Sequence, residues 1–157
     1  MRYTLELRLD GSLALYLGAS EAKKLLAGNN KRVILAFGEH TLHCAILRDP
    51  VHGHYLRLAK AHHKKWGISA GSSIEATIQI DQSTYQFDLP ETIEEVLRHD
   101  SDAASKWEML SPGKQRSIIY QIGKIKSIDL QIQKSLLLAE RLKSGHCDPL
   151  TILKTQQ

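Results

Sequence analysis

Eight histidines, two cysteines and one lysine-rich segment are the residues of this 157-residue chain whose chemistry suits action on another molecule. Between Asp49 and Glu75 there is no acid, and within that stretch lie Arg57, Lys60, Lys64 and Lys65 together with His54, His62 and His63. Cations gathered without counter-charges attract phosphates, and Trp66 at the end of the run offers a ring on which a base can stack. A solvated lysine-rich connection, with Trp66 closing the end of a barrel, accounts for the same residues without any ligand. A second basic stretch lies further along. Residues 90–110 hold two bases against six acids, whereas residues 111–157 hold eight bases against three acids and include Arg116 and Lys126. Cations near helix C-termini explain part of that excess. For an anionic partner the expected contacts are Arg57, Lys60, Lys64, Lys65 and Trp66, with Arg116 and Lys126 in the later stretch.

The remaining chemistry-bearing residues point away from catalysis. His40-x-x-His43, His52-x-His54 and His62-His63 come without carboxylates or cysteines at a zinc-binding spacing, so no metal site is expected. His43 falls opposite Leu42, Cys44 and Ile46 on its strand and is expected in solvent, while Cys44 is expected in the core as a small hydrophobe. His146-Cys147-Asp148 lies in a terminal segment with no scaffold to hold a triad. No glycine-rich phosphate loop, Gly-x-Ser-x-Gly elbow or His-Glu-x-x-His helix occurs, so neither a catalytic residue nor a cofactor is expected.

The elements that must position these residues change character near Pro90. Before it, apolar side chains recur at period 2: Tyr3, Leu5, Leu7 and Leu9, an Asp10-Gly11 turn, then Leu13, Leu15 and Leu17. Ser20 to Ala27 is predicted as a short helix, and strands resume with Val33, Leu35 and Phe37, with Leu42, Cys44 and Ile46, and with Leu56 and Leu58. Ile74, Ala76, Ile78 and Ile80 predict one further strand, and Tyr85, Phe87 and Leu89 another. Six or seven short strands with one wet face predict a small barrel or two packed sheets. After Pro90 the period is helical. Thr92-Ile93-Glu94-Glu95 resembles a capping box, Ser101 a second cap, and Ser111-Pro112 a cap followed by proline at the first helical position. Ile118, Ile119, Ile122 and Ile125, then Leu136, Leu137, Ala139 and Leu142, continue to Gly145. The expected organisation is an α+β chain: a barrel over 1–89, a helical region over 90–145 and a tail over 146–157.

Composition agrees with a folded chain. It is 42% hydrophobic and 24% charged, with four prolines and ten glycines, which excludes disordered and fibrous classes. No apolar run approaches the roughly 20 residues that a membrane span requires, and Met1-Arg2-Tyr3-Thr4 is unlike the start of a signal peptide. Two cysteines without a Cys-x-x-Cys spacing suit a reducing compartment, and a cytoplasmic protein is expected.

Two stretches resemble known families. Asp88-Leu89-Pro90, Trp107-Glu108-Met109 and residues 110–145, opening Leu-Ser-Pro-Gly-Lys-Gln-Arg, resemble the bacteriocin-protection, YdeI or OmpD-associated family. Gly53-His54-Tyr55-Leu56-Arg57-Leu58, Lys60, Gly67-Ile68, Gly71 and Asp81 resemble an uncharacterised family that often precedes it and implies a double-split, AbrB-like β-barrel. The helical family's arginine run and tryptophan are replaced here by Leu130 to Ser135 and by Gln121, leaving Arg116, Lys126 and Lys134 as its basic residues, while Lys60 matches the barrel family's lysine. The acid-free stretch, taken with the AbrB-like resemblance, leads to the expectation of a non-catalytic binding protein, with nucleic acid or another phosphate-bearing molecule as the preferred partner. Two alternatives stand beside it: a small-ligand enzyme using the barrel mouth near His54, His62 or His63, and a stress-response or bacteriocin-protection accessory that binds another protein. A flat basic face favours the first reading, a pocket of converging polar groups the enzyme, and an exposed apolar stripe on the last helix the protein partner.

Overall fold

A computed structural model describes residues 1–155. The chain forms two compact units, Met1–Gln86 and Phe87–Gln157. The first contains β1 (Arg2–Leu7), β2 (Leu13–Tyr16), α1 (Ala19–Leu25), β3 (Arg32–Phe37), β4 (His40–Asp49), β5 (Gly53–Leu58), α2 (Lys60–Trp66), β6 (Ser73–Glu75) and β7 (Thr77–Ile80). The second contains α3 (Glu91–His99), α4 (Ser101–Glu108), α5 (Pro112–Gly123) and α6 (Ile128–Lys143).

The strands run in the order β6-β1-β2-β5-β4-β3-β7, with every pairing antiparallel. The two outermost members, β6 and β7, are consecutive in the chain and separated only by Ala76. The segment predicted as one strand is therefore split, its first half paired with β1 and its second with β3, which brings the sheet to a nearly closed barrel. Ala76 is the seam: its backbone N–H donates to the Met1 carbonyl, and its carbonyl accepts from the Met1 amine. Alternate side chains from each strand fill the interior, among them Leu5, Leu13, Leu15, Val33, Leu35 and Leu56, each at most 1% exposed. Cys44 lies in this cluster as expected, and burial pushes its thiol up to about 12.

Alternation misleads where an element ends early. β1 stops at Leu7, so Leu7 and Leu9 are exposed, and residues 8–12 make a longer connection than a two-residue turn. The strand predicted at Tyr85, Phe87 and Leu89 is absent. There the Asp81 carboxylate takes the Ser83 N–H and hydroxyl, the Gln86 amide donates to Asn30 Oδ1 and the Asp81 carbonyl, and Gln86 adopts a positive φ of 55°. Side chains thus take up the Ser83 N–H and the Asp81 carbonyl, while the Asp81 N–H still donates to the Arg32 carbonyl of β3.

In the second unit, Ser111 caps α5 ahead of Pro112 as the sequence indicates. The other two caps differ. α3 starts at Glu91 behind Pro90, which places Thr92 inside the helix, and α4 is capped by the Asp100 carboxylate rather than by Ser101. Trp107, Ile93, Ile118, Ile122, Leu138 and Leu142 form a buried centre. Residues 146–155 carry no helix or strand, yet Ile152 is fully buried, Gln121 Nε2 donates to the Pro149 carbonyl and Lys134 Nζ donates to the Leu153 carbonyl.

Candidate anion-binding surface

The basic segment forms α2, a seven-residue helix between β5 and the closing strand. It ends because Gly67 takes the left-handed conformation, with φ 63°, where a side chain would be strained. No residue of α2 is fully buried, and Lys60, Lys64 and Lys65 are exposed. None of these three lysines has an ion-pair partner among the described residues.

The other predicted contacts differ in what already holds them. Arg57, on the outer face of β5, pairs with Asp10 at 2.8 Å and donates through Nε to Ser12 Oγ at 3.2 Å, so its charge is balanced within the barrel. The Lys60 side chain crosses Gly11: a Cβ built at Gly11 would lie 2.3 Å from Lys60 Cε. The aliphatic part of Lys60 thus braces the 8–12 connection.

Trp66 is half-buried against the barrel core. Its ring stacks on His62 at 4.1 Å and on His40 at 5.4 Å, and meets Phe37 edge-on. It is engaged as the aromatic closure of the barrel. Burial, followed by the nearby Lys65 and His63, holds the His62 pKa below its ordinary value. His63 Nε2 lies 3.3 Å from the Leu58 carbonyl. Arg116 and Lys126 belong to the second unit, Arg116 half-buried on α5 and Lys126 exposed in the connection to α6.

Two polar clusters escaped the sequence analysis. In the first, Arg8 Nη1 donates to Tyr16 OH and to Asp49 Oδ2, both at 3.1 Å, and the guanidinium lies 4.2 Å from the centre of the Tyr55 ring. The backbone N–H groups of His52 and Val51, then Arg8, hold the Asp49 carboxyl well below the usual range. These residues flank an open hollow of about 780 Å³ on the outer face of the barrel. Register alone places Tyr16 beside Tyr55, but the return of Arg8 from the 8–12 connection is a long-range event. The second cluster corrects the placement of His43. Its side chain is only 15% exposed, and Nδ1 lies 2.6 Å from Oδ2 of Asp81, which is fully buried. Burial acts to raise the Asp81 pKa, and the bonds from the Ser83 hydroxyl, His43 and the Ser83 N–H outweigh it, leaving a carboxyl below its ordinary value. The Ser83 hydroxyl donates to the carboxylate, an arrangement that braces a turn rather than activating a nucleophile.

Among the described residues, no group of three or more histidine, cysteine or acidic side chains converges as a metal site, and no helix is long and apolar enough to cross a membrane.

Fold and surface together define a two-part α+β protein: a small antiparallel barrel with an exposed basic helix, followed by helices. Residues 86–145 match the family described as Bacteriocin-protection, YdeI or OmpD-Associated, the stretch that contains the Leu-Pro and Leu-Ser-Pro motifs. The match leaves the barrel outside it. No curated protein and no solved structure matches the chain.

Proposed function

We propose that this is a non-catalytic binding protein whose barrel contacts a phosphate-bearing partner, nucleic acid foremost, through Lys64 and Lys65 with help from Lys60. The observation that carries this reading is a surface helix on which three exposed lysines stand without acidic partners, in a stretch of chain that contains no acid. Unpaired ammonium groups keep their full charge for phosphates and release counterions on binding. Arg57 is already neutralised by Asp10 and Trp66 is engaged in its own stack, so the lysines carry the contact and the other two shape it. A cytoplasmic location accords with this reading.

The test is binding of mixed-sequence duplex and single-stranded nucleic acid between about 50 and 200 mM salt, beside a Lys64→Glu/Lys65→Glu variant. Both lysines are exposed, so the variant keeps its fold. The expected result is an affinity for duplex that falls by about 0.9 logarithmic units per phosphate met for each tenfold rise in salt, and that the variant loses. Absence of binding at the lowest salt, or binding unchanged in the variant, overturns the proposal.

A further inference from the structure

A different surface, in the helical unit, points to a protein partner. α6 buries Ser135, Leu138, Ala139 and Leu142, which is face enough for a helix packed in a small unit. It nevertheless carries a second apolar stripe. Ile128, Ile132 and Leu136, spaced four residues apart and so aligned on one side, are 60%, 43% and 54% exposed. Large aliphatic side chains placed in register on a solvent-facing side mark contact with another molecule.

The stripe forms one wall of a groove. Val96 and Glu95 of α3 line two neighbouring hollows of about 300 and 290 Å³, one completed by Leu136 and Ala139, the other by Ile128 and Ile132. The hydroxyl of Ser135 donates to Thr92 Oγ1 at 3.0 Å, a buried bond that ties α6 to α3 beneath the groove. From Ile128 to Glu140 the helix rises about 18 Å, the length of roughly three helical turns.

Charge then selects the occupant. Glu91, Glu95, Asp100 and Glu140 line the two hollows, and no lysine or arginine does. Arg98 and His99 reach Glu95 from its own helix, and Lys143 bridges Asp100 and Glu140 at 2.8 Å each. Glu91 has no partner among the described residues. Four carboxylates against the two cations Arg98 and Lys143 leave the rim with an excess of negative charge, and an apolar floor so rimmed fits a helix bearing aliphatic residues on one face and lysine or arginine beside them. It repels nucleic acid. A second copy docking groove to groove would set acid against acid. We propose that the α3–α6 groove docks a basic amphipathic helix of a partner protein.

The experiment uses the full chain and a fluorescent peptide of about 16 residues, long enough to span the groove with a turn to spare, with leucines four apart and lysines flanking them. A control peptide carries glutamates in place of the lysines. The lysine peptide is expected to bind in the micromolar range and the glutamate peptide about tenfold or more weaker. Ile132→Ser/Leu136→Ser should weaken the lysine peptide about tenfold while the thermal midpoint stays, since both side chains are exposed. Glu91→Gln/Glu95→Gln should narrow the difference between the peptides, a readout independent of whether the serine variant folds. Equal binding of the two peptides, no binding of the lysine peptide, or indifference to both variants overturns the proposal. So does a concentration-dependent dimer abolished by the serine variant, which would make a second copy the occupant.

Discussion

On the outer face of the barrel, a buried carboxylate organises a polar cluster: Asp81 gathers His43 and Ser83, and its backbone gathers Asn30 and Gln86. In the helical unit the corresponding buried contact is the neutral hydroxyl pair Ser135–Thr92, set within an apolar centre around Trp107. The two units thus hold themselves together by different means. One depends on keeping a charge solvated by protein groups, the other on filling volume. Their surfaces differ in the opposite sense, with free lysines on the barrel and an acid-rimmed apolar groove on the helices. A chain so divided can hold two unlike partners without the same residues serving both.

The largest effect that would break this comparison comes from volume. Trp107 is fully buried, and Trp107→Ala should destabilise the helical unit by about 3–5 kcal/mol. Because no charge is removed, denaturant titrations at pH 7 and pH 4 should show the same loss; a strong pH dependence would mean that buried charge matters there too. Next comes Asp81. Its folded pKa lies below the ordinary value, so its charge stabilises the barrel above about pH 4, and that stability is lost as pH falls through the folded value. Asp81→Asn should cost about 1.5–3 kcal/mol at pH 7 and flatten the acid side of the stability profile. An unchanged acid limb would assign the pH dependence to other groups. The smallest change sharpens the account of Lys60. Gly11→Ala should cost about 1 kcal/mol from its φ of 75° alone, with a further loss from the clash with Lys60. Adding Lys60→Ala should recover only the second part, measured by thermal unfolding.

What the sequence discloses follows from how far apart the contributing residues lie. The core of each strand is local: Leu13 and Leu15, Val33 and Leu35, and Leu56 and Leu58 face inward because alternate positions do, and all are at most 1% exposed. The Ser111-Pro112 cap is equally local. His43 shows where this logic stops. Alternation does point it away from the core, but the chain after β7 returns to that outer face and covers it with Asp81, a partner 38 positions away. Ala14 is similar: register sets it beside Arg57 on the outer side, yet it is fully buried where Arg57 meets Asp10 and Ser12. The Arg8–Asp49–Tyr55 cluster likewise joins three separate segments. In the candidate surface, the lysines were legible as an acid-free run, whereas the neutralisation of Arg57 and the engagement of Trp66 depended on contacts that only the closed barrel makes. The stripe on α6 was half legible. Leu136 belongs to the helical repeat, but the buried position is its neighbour but one, Leu138, and the rotation of the helix about its axis is decided by what packs on it.

The seam at Ala76 has a consequence in time as well as space. The β1–β2 and β3–β4 pairings join neighbours in sequence and can zip as soon as each hairpin exists, while Met1 and Ala76 must find each other across 75 positions. On a ribosome the pairing of β3 with β7 cannot form until residue 80 has emerged, so the barrel's sheet keeps open edges until then.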